Sequence, residues 1–379
     1  MIFELSEEQK MIRDAARDFA EIELKPGVIE RDENQTFPVE QVKKLGELGF
    51  LGMMVDPKYN GSGLDSISYV LAMEEFSKID ASASVVVSVN NSLVCFGLEK
   101  YGSEDQKEKY LKPLAAGEVI GAFCLSEPEA GSDATSQRTI AEDKGDYYLL
   151  NGTKNWITNG NSASIYLVIA QTHPEKGSKG INVLIVEKGM EGFSIGPKEN
   201  KMGIRGSDTH SLLFNDVKIP KSNRIGDDGF GFKFAMQTLD GGRIGIAAQA
   251  LGIASGAYEL ALNYAKERKA FGKPIAELQA ISFKLADMAT DIEAARLLVM
   301  KAAWLKDQKL PYAKYASMAK LKASEVAMKT TIEAVQIHGG YGFVKEYHVE
   351  RLMRDAKVTQ IYEGTSEIQR LVIAREILK

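Results

Sequence analysis

The spacing of apolar residues changes twice along the chain. Over residues 6–118 they recur every three or four positions, which predicts amphipathic helices. Over residues 119–226, short β-branched and aromatic runs alternate with turns rich in Gly, Asn, Asp and Lys, which predicts strands. Helical spacing returns after Gly231 in two long stretches, 278–308 and 312–337. Long helices with short connections are typical of an antiparallel bundle.

These changes predict an α+β multidomain chain. A length of 379 residues is enough for two or three domains. We place an N-terminal α-helical domain at 1–119, a middle β domain at 120–228 and a C-terminal four-helix-bundle domain at 229–379. The strand-like runs of the middle domain are 147–150, 165–169 and 181–186.

Composition narrows the classes of function. A hydrophobic content of 44% supports a buried core, and a net charge of −5 gives no reason to expect a nucleic-acid partner. We expect a soluble cytoplasmic protein, because the N-terminus lacks a basic, apolar leader and no run approaches the roughly 20 apolar residues of a membrane span. Cys95 and Cys124 lack CxxC spacing, so we expect both to be buried. The four histidines form no cluster, so we expect no metal site.

One carboxylate, Glu363, lies between an apolar pair, 361–362, and the start of a helix. Gly364 permits a sharp turn, and Thr365 or Ser366 can cap the helix that follows. If this bend faces an apolar pocket, desolvation raises the pKa of the carboxyl group towards the range of a general base near neutrality. A solvated surface glutamate is the alternative.

Three further segments carry candidate chemistry. Residues 123–133 join an apolar strand to a loop of Ser, Gly and Asp that offers backbone and hydroxyl donors, although such loops often only turn the chain. Residues 156–160 set a tryptophan ring beside a hydroxyl, which suits a planar heterocycle, and a core tryptophan is the alternative. Residues 239–243 are expected to open a helix with a charged pair suited to phosphate, and ordinary surface charge is the alternative.

Four motifs, in this order, resemble those of the acyl-CoA dehydrogenase family. They are Ser-Glu-Pro-x-Ala-Gly-Ser-Asp at 126–133, Trp-Ile-Thr-Asn-Gly at 156–160, Gln-Ile-His-Gly-Gly-Tyr-Gly at 336–342 and Ile-Tyr-Glu-Gly-Thr at 361–365. The resemblance covers essentially the whole chain. It implies the acyl-CoA dehydrogenase fold, with an N-terminal α domain, a middle β domain and a C-terminal four-helix bundle. It also implies FAD as cofactor, an acyl-CoA substrate, an electron-transferring flavoprotein as electron acceptor and a homotetramer.

The resemblance also implies roles for individual residues. Glu363 corresponds to the catalytic base. Substrate contacts fall on Ser132, Asp240, Arg243 and Gly364. The FAD contacts fall on Phe123, Cys124, Leu125, Ser126, Gly131, Ser132, Trp156, Ile157, Thr158, Arg268, Phe271, Gln279, Gln336, Ile337, Gly339, Gly340, Thr365, Ser366 and Glu367.

The reaction that the resemblance implies is α,β-dehydrogenation of a thioester. Glu363 removes the α-proton while the enolate oxygen is stabilised by the Glu363 backbone N–H and a flavin hydroxyl, and a hydride leaves the β-carbon for flavin N5. Some branches of the family place the base immediately before the CoA-binding arginine. That position is Gly242 here, so the alternative base is absent, which supports the assignment of Glu363.

The acyl group is expected to be short. Residues 84–93 and 239–247 resemble the short-chain branch, so butyryl-CoA is the expected substrate, and Val85, Val87 and Val89 are expected to close the far end of the acyl cavity. Glutaryl-CoA relatives have an arginine where this chain has Ser84, so an ionised acyl tail would lack a counter-ion. The alternatives are a short branched-chain acyl-CoA dehydrogenase, an oxidase-like flavoenzyme and a redox-silent scaffold.

Overall fold

A computed structural model describes residues 4–379 and contains two helical regions on either side of a β-sheet. The α-helices before the sheet are α1 Glu7–Phe19, α2 Val28–Glu33, α3 Val39–Glu47, α4 Ser66–Ile79, α5 Ala81–Ser88, α6 Phe96–Tyr101, α7 Glu104–Gln106 and α8 Lys112–Ala115. Those after it are α9 Gly231–Glu267, α10 Gln279–Asp307, α11 Ala313–His338, α12 His348–Val358 and α13 Ser366–Ile377. Short π-helical stretches at Ala20–Leu24, Val89–Cys95 and Lys107–Leu111 continue α1, α5 and α7.

The central sheet is mainly antiparallel. Its strands are β1 Gly121–Cys124, β2 Ile140–Asp143, β3 Tyr147–Thr158, β4 Ile165–Gln171, β5 Ile181–Glu187, β6 Phe193–Lys198, β7 Thr209–Pro220 and β8 Arg224–Ile225. The order is β6–β7–β3–β2–β4–β5–β8, with β1 parallel to β4. A separate hairpin pairs β9 Lys269–Ala270 with β10 Lys273–Pro274. The three strand runs and both long helices expected from the sequence are confirmed.

The two helical regions share one core. Buried residues of α4 and of the long C-terminal helices belong to the same apolar cluster. Helix α9 approaches α4 closely because Gly256 has no side chain: a methyl group there would lie 2.5 Å from the carbonyl oxygen of Lys78. This packing sets the middle of α9 against α4 and α5, where the candidate site lies.

Helix α12 connects the three regions of the chain. The Asp355 carboxylate accepts a hydrogen bond from the backbone N–H of Ile204, 2.5 Å away, and pairs with Arg351 at 3.1 Å. Arg351 also donates to the carbonyl oxygen of Ile79 at 2.7 Å. Burial raises the pKa of Asp355 to about 6, and Arg351 opposes that shift. These contacts fix the end of α12, which leads directly to Glu363.

Two sequence expectations are corrected. Residues 239–243 lie inside α9, which begins eight positions earlier at Gly231. The helical stretches Ala81–Tyr101 and Gly231–Glu267 are long and apolar enough to span a bilayer, contrary to the expectation that no run approaches this length. Their apolar windows are 94% and 83% buried inside the fold, so both have the burial of core helices.

Candidate active site

Glu363 lies on a left-handed turn between α12 and α13. Its φ is +51° and that of Gly364 is +92°, so two consecutive residues occupy the region that favours glycine. Hydrogen bonds close the turn on both sides: Tyr362 N–H donates to Val358 O at 3.0 Å, and Thr365 Oγ1 accepts from Ile368 N–H at 3.3 Å as the cap of α13. The capping role expected for Thr365 is confirmed. Glu363 itself is the strained residue, and strain of this kind is often concentrated at functional sites.

The carboxylate of Glu363 points into the protein. The side chain as a whole is half-buried, but its Oε2 is inaccessible and has no hydrogen-bond partner within residues 4–379. Burial raises the pKa of Glu363 to about 7, and the nearby cations Lys320 and Arg243 oppose that shift. The surface alternative for Glu363 is therefore wrong. A carboxyl group with this pKa is half ionised near neutrality, which suits a general base.

Gly242, in the middle of α9, leaves room for this carboxylate. A methyl group at Gly242 would overlap Glu363 Oε2 and would lie 2.7 Å from Leu93 Cδ2. One turn later on the same buried face of α9, a methyl group at Gly245 would lie 2.5 Å from the hydroxyl of Tyr69. Gly242 and Gly245 therefore allow neighbouring groups to approach α9 closely, and this packing outweighs the low helix propensity of glycine.

Arg243 and Asp240 form a buried pair next to Glu363. Arg243 is 5% exposed, and its Nη1 donates to Asp240 Oδ1 at 2.6 Å. Its Nε is buried and has no partner among residues 4–379. Burial lowers the pKa of Arg243, and Asp240 and Glu363 oppose that shift. Arg243 is therefore not the surface charge that was the alternative. Its unpaired donor can bind an acceptor on a ligand.

An apolar wall lies beside the Glu363 turn. Val85, Val89 and Leu93 follow one another at helical spacing and belong to one buried cluster, to which Tyr362 and Leu239 add partly buried side chains. Val87 belongs to the separate core cluster shared with α4 and α9. The expectation that Val87 helps to close the cavity is therefore wrong, because a helix turns it away from the face that carries Val85 and Val89.

Sequence reasoning missed a buried polar group behind this wall. Tyr362 donates its hydroxyl to Gln249 Oε1, and Gln249 Nε2 donates to Ser84 Oγ at 3.0 Å and to Ala81 O at 2.9 Å. Gln249 and Ser84 are both fully buried. The detectable signal was a lone glutamine within the apolar helical run 244–257. A polar group in such a run must find partners inside the fold.

The loop after β1 and the end of β3 form a second part of the site. Asn155 N–H donates to Ser126 O at 2.8 Å, which joins them. The pairing of β3 with β7 shifts register between Lys154 and Ile157, and Trp156 at this irregularity has a φ of +61° and is 60% exposed. A bulge of this kind redirects a side chain. Trp156 therefore presents its ring outward, and the core-tryptophan alternative is wrong.

The other residues expected around this loop differ in what they can offer a ligand. Phe123, Ser126 and Thr158 are half-buried, and Gly131 and Ser132 are exposed. Leu125 is buried, and Cys124 and Ile157 lie in the apolar core of the sheet. The side chains of Cys124 and Ile157 pack inside this core, so these two residues can contact a ligand only through their backbone groups. The expected burial of Cys95 and Cys124 is confirmed.

A buried ion pair supports the same loop. Lys154 is fully buried, and its Nζ donates to Glu127 Oε1 at 2.7 Å and to Leu125 O at 3.1 Å. The Glu127 carboxylate also accepts the backbone N–H groups of Arg138 and Thr139. Burial lowers the pKa of Lys154 to about 8, although Glu127 opposes the shift.

A third group of expected residues surrounds the β9–β10 hairpin and the end of α11. Arg268 lies 5.6 Å from the ring centroid of Tyr341, which brings the hairpin next to the residues that follow α11. Phe271, at the hairpin tip, is 91% exposed. Gln279 is the first residue of α10, and Gln336 and Ile337 lie in the last turn of α11. A methyl group at Gly339 or Gly340 would meet nothing within 4 Å, so open space lies in front of both.

The residues expected after Glu363 begin α13. Thr365 is its cap, and Glu367 is exposed. Ser366 is buried, and its Oγ has no partner in the part of the chain that the structure describes. The structure thus brings Glu363, Gly364, Asp240 and Arg243 together. The loop with Trp156 and the hairpin with Arg268 form two further groups.

Comparison with known proteins identifies the family. Acyl-CoA dehydrogenase domain models match the N-terminal domain at residues 6–118, the middle domain at 122–217 and the C-terminal domain at 229–378. The chain belongs to the acyl-CoA dehydrogenase family. The resemblance and the fold class expected from the sequence are confirmed.

Individual relatives match over the full length. The chain is 51% identical to “Acyl-CoA dehydrogenase, short-chain specific” of Clostridium acetobutylicum, covering 100% of both chains. It is 50% identical to the butyryl-CoA dehydrogenase structure from Megasphaera elsdenii, with a TM-score of 0.99 and full coverage of both. It is also 51% identical, with the same TM-score and coverage, to a chain in the structure “Electron transferring flavoprotein of Acidaminococcus fermentans: Towards a mechanism of flavin-based electron bifurcation”.

The buried Lys154–Glu127 pair gives a stability prediction. Lys154→Met leaves the Glu127 carboxylate buried without its cation, so we expect a loss of about 3–5 kcal/mol in the free energy of unfolding. Adding Glu127→Gln removes the uncompensated charge and recovers part of that loss. Denaturant unfolding measures both.

The control is Lys43→Met, which breaks the solvent-exposed Lys43–Glu47 pair and should cost less than about 1 kcal/mol. Equal losses for Lys154→Met and Lys43→Met would contradict a structural role for the buried pair.

Proposed function

We propose that this protein is a short-chain acyl-CoA dehydrogenase that converts butyryl-CoA to crotonyl-CoA, with Glu363 as the base that removes the α-proton. The observation that carries this proposal is the Glu363 carboxylate, buried against Gly242 with a pKa of about 7 beside a short apolar wall. Similarity to the short-chain specific enzyme of Clostridium acetobutylicum and to the butyryl-CoA dehydrogenase of Megasphaera elsdenii supports the choice of substrate.

The residues around Glu363 account for the proton transfer. An α-proton of a thioester is weakly acidic, so the base must be ionised, close and shielded from water. The turn holds the carboxylate against α9, and its lack of an internal partner leaves Oε2 able to accept a proton from substrate. Bound FAD would supply the two-electron acceptor for the hydride that leaves the β-carbon, which is the chemistry that the side chains of this site cannot provide.

The residues around the expected cofactor contacts fit FAD. The exposed ring of Trp156 offers a flat apolar surface, and Ser126, Thr158 and the exposed Gly131–Ser132 backbone supply polar groups next to it. Open space lies beside Gly131, as it does at Gly339 and Gly340. We propose that the loop and Trp156 hold the flavin ring. Arg268, Phe271 and Gln279, together with residues 336–340, would hold the pyrophosphate and adenine end of FAD in a neighbouring subunit.

Arg243 and Asp240 are proposed to hold the CoA portion of the substrate. The buried Nε of Arg243 has no partner within the described residues. An arginine that is fixed by a carboxylate binds phosphate or amide oxygens with little loss of side-chain entropy. Ser132, exposed on the loop, and Gly364, next to the base, are proposed as further substrate contacts. The placement of Arg243, Asp240 and Gly364 around the Glu363 carboxylate supports the assignment of these three.

We further propose a homotetramer that passes electrons to an electron-transferring flavoprotein in the cytoplasm. Large apolar side chains are exposed on the C-terminal bundle of the single chain, including Phe271, Phe283 and Phe343. Exposed apolar groups of this size are commonly covered at subunit interfaces. The electron acceptor is supported by the match to a chain in the electron transferring flavoprotein structure.

A branched short acyl group remains the second candidate, because one methyl group changes pocket binding by only about 1–3 kcal/mol. An oxidase-like reaction would differ in the electron acceptor and not in the Glu363 geometry. The raised pKa of Glu363 and the strained turn that carries it argue against a redox-silent scaffold. Both features are typical of catalytic sites, and a scaffold would need neither for binding other proteins.

The proposed base is tested by Glu363→Gln. The amide keeps the shape of the side chain but cannot accept the α-proton, so flavin reduction by butyryl-CoA should fall at least about 10²–10⁴-fold while FAD stays bound. In the wild-type protein, kcat/KM should rise with pH through about 7, because only the ionised carboxylate is a base.

Stopped-flow reduction under anaerobic conditions measures both effects. Glu191→Gln, at an exposed position, is the matched control and should leave both unchanged. Near-normal flavin reduction in Glu363→Gln would remove Glu363 from the mechanism.

The apolar wall is tested with acyl-CoAs from C4 to C12. In the wild-type protein C4 should give the highest kcat/KM, with a decline by C8, because longer chains meet Val85 and Val89. Val85→Ala should favour the longer chains, by roughly fourfold for each methylene accommodated, which corresponds to about 0.8 kcal/mol.

Val87→Ala removes the same atoms from the opposite face of the helix and should leave the chain-length preference unchanged. A wild-type series that rises beyond C6 would exclude short-chain specificity and leave the dehydrogenase assignment intact.

A further inference from the structure

A buried lysine lies next to the proposed base and has no part in the assignments above. Lys320, on α11, is fully buried, and its Nζ donates to the carbonyl oxygen of Gly364 at 2.7 Å. Within residues 4–379 no carboxylate oxygen lies within 4.0 Å of this Nζ, so the ammonium has no direct ion pair. Burying a charged lysine without a direct ion pair carries a desolvation penalty. A functional role would explain why such a residue is present.

The hydrogen bond falls on the strained part of the turn. Gly364 O accepts from Lys320 Nζ and also from Gln369 Nε2 at 2.8 Å, while Gln369 Nε2 reaches Glu363 O at 3.2 Å. The turn that carries the base is thus tied to α11 by one charged donor and to α13 by one neutral donor. Charge-assisted hydrogen bonds are the stronger of the two kinds.

The Lys320 ammonium also acts on the Glu363 carboxylate. Burial lowers the pKa of Lys320 to about 7, and Glu363 is the main charge that opposes this shift. Lys320 in turn is the first of the two cations that lower the pKa of Glu363 against burial. The second, Arg243, is partly neutralised by its pair with Asp240 at 2.6 Å.

The other groups around Glu363 do not supply positive charge. Tyr69 on α4 and Tyr362 on the turn are both neutral, because burial raises the pKa of each phenol. Glu367, at the start of α13, is an anion near Lys320 and supports the charged lysine. Lys320 is therefore the cation on which the ionised state of Glu363 mainly depends.

We infer that Lys320 is a positioning residue for the proposed base: its ammonium holds the Gly364 carbonyl, which fixes the left-handed turn, and its charge favours the ionised form of the Glu363 carboxylate in an apolar setting. This inference rests on the proposed function. Lys320, on α11, would thus assist proton abstraction indirectly, through Glu363, without contacting the reacting atoms.

Three substitutions separate charge from hydrogen bonding. Lys320→Gln keeps a donor and removes the charge, Lys320→Met removes both, and Lys320→Arg keeps both. Without the charge, the pKa of Glu363 rises. The acid limb of the pH profile, which is the rise of kcat/KM with pH as Glu363 ionises, should therefore move up by about one pH unit or more in the Gln and Met variants. The Arg variant should keep the wild-type limb. Neutral side chains suit a buried site, so both neutral variants should fold.

The titration of Glu363 can also be followed without turnover. The infrared band of the protonated Glu363 carboxyl group, identified by its loss in Glu363→Gln, should persist to higher pH in Lys320→Gln and Lys320→Met. Lys329→Gln, which removes an exposed lysine from the same helix, should leave the band and the acid limb unchanged.

The outcomes distinguish failure of the proposed function from failure of the role inferred for Lys320. Failure of butyryl-CoA to reduce the flavin in the wild-type protein contradicts the proposed function. Normal reduction in the wild type, together with wild-type acid limbs and infrared titrations in Lys320→Gln and Lys320→Met, overturns the role of Lys320 alone. An acid limb that shifts equally in Lys320→Arg would overturn the role of its charge.

Discussion

The desolvation of the Glu363 carboxylate is the constraint on which the rest of the site depends. A carboxylate without a hydrogen-bond partner is unfavourable in an apolar setting, so its proton affinity rises. That penalty is tolerable only while nearby positive charge offsets part of it, and Lys320 and Arg243 do so without a direct pair to the carboxylate. The carboxylate is left basic and able to accept a proton from outside the chain.

The fold keeps this arrangement in place from several sides. The contacts of Asp355 and Arg351 tie the end of α12 to the middle region and to the last residue of α4, so the turn begins from a fixed point. Gly242 lets α9 approach the carboxylate, and Gly256 lets the same helix approach α4. The strain at Glu363 persists because these contacts leave the backbone few other conformations.

Much of the secondary structure could be predicted from the sequence, because burial of one face of a helix or strand sets the spacing of its apolar residues. The three strand runs, the long helices and the Thr365 cap followed from such local patterns. The conformation of Glu363, the outward ring of Trp156 and the position of residues 239–243 inside α9 did not, since each depends on tertiary contacts that override local propensity. Val87 was misplaced because alternate positions share a face in a strand but not in a helix.

Lys320 and Gln249 show a further limit of sequence reasoning. A lysine in a helix is normally read as solvated, and only the packing of α11 against the Glu363 turn reveals that Lys320 is buried. Gln249 stood out as a polar residue in an apolar run, but its partners, Tyr362 and Ser84, come from distant parts of the chain. Burial of polar groups depends on contacts between elements, which a single sequence does not specify.

The most direct test of the account is to move the base from the turn to α9. Gly242→Glu alone must force the new side chain against the Glu363 carboxylate, whereas Gly242→Glu with Glu363→Gly removes that clash and places glycine where φ is positive. If both positions face the same substrate carbon, anaerobic reduction of the bound flavin by butyryl-CoA should be restored in the double variant to well above the rate of Glu363→Gly. A double variant that binds FAD and butyryl-CoA yet reduces no faster than Glu363→Gly would contradict the shared geometry.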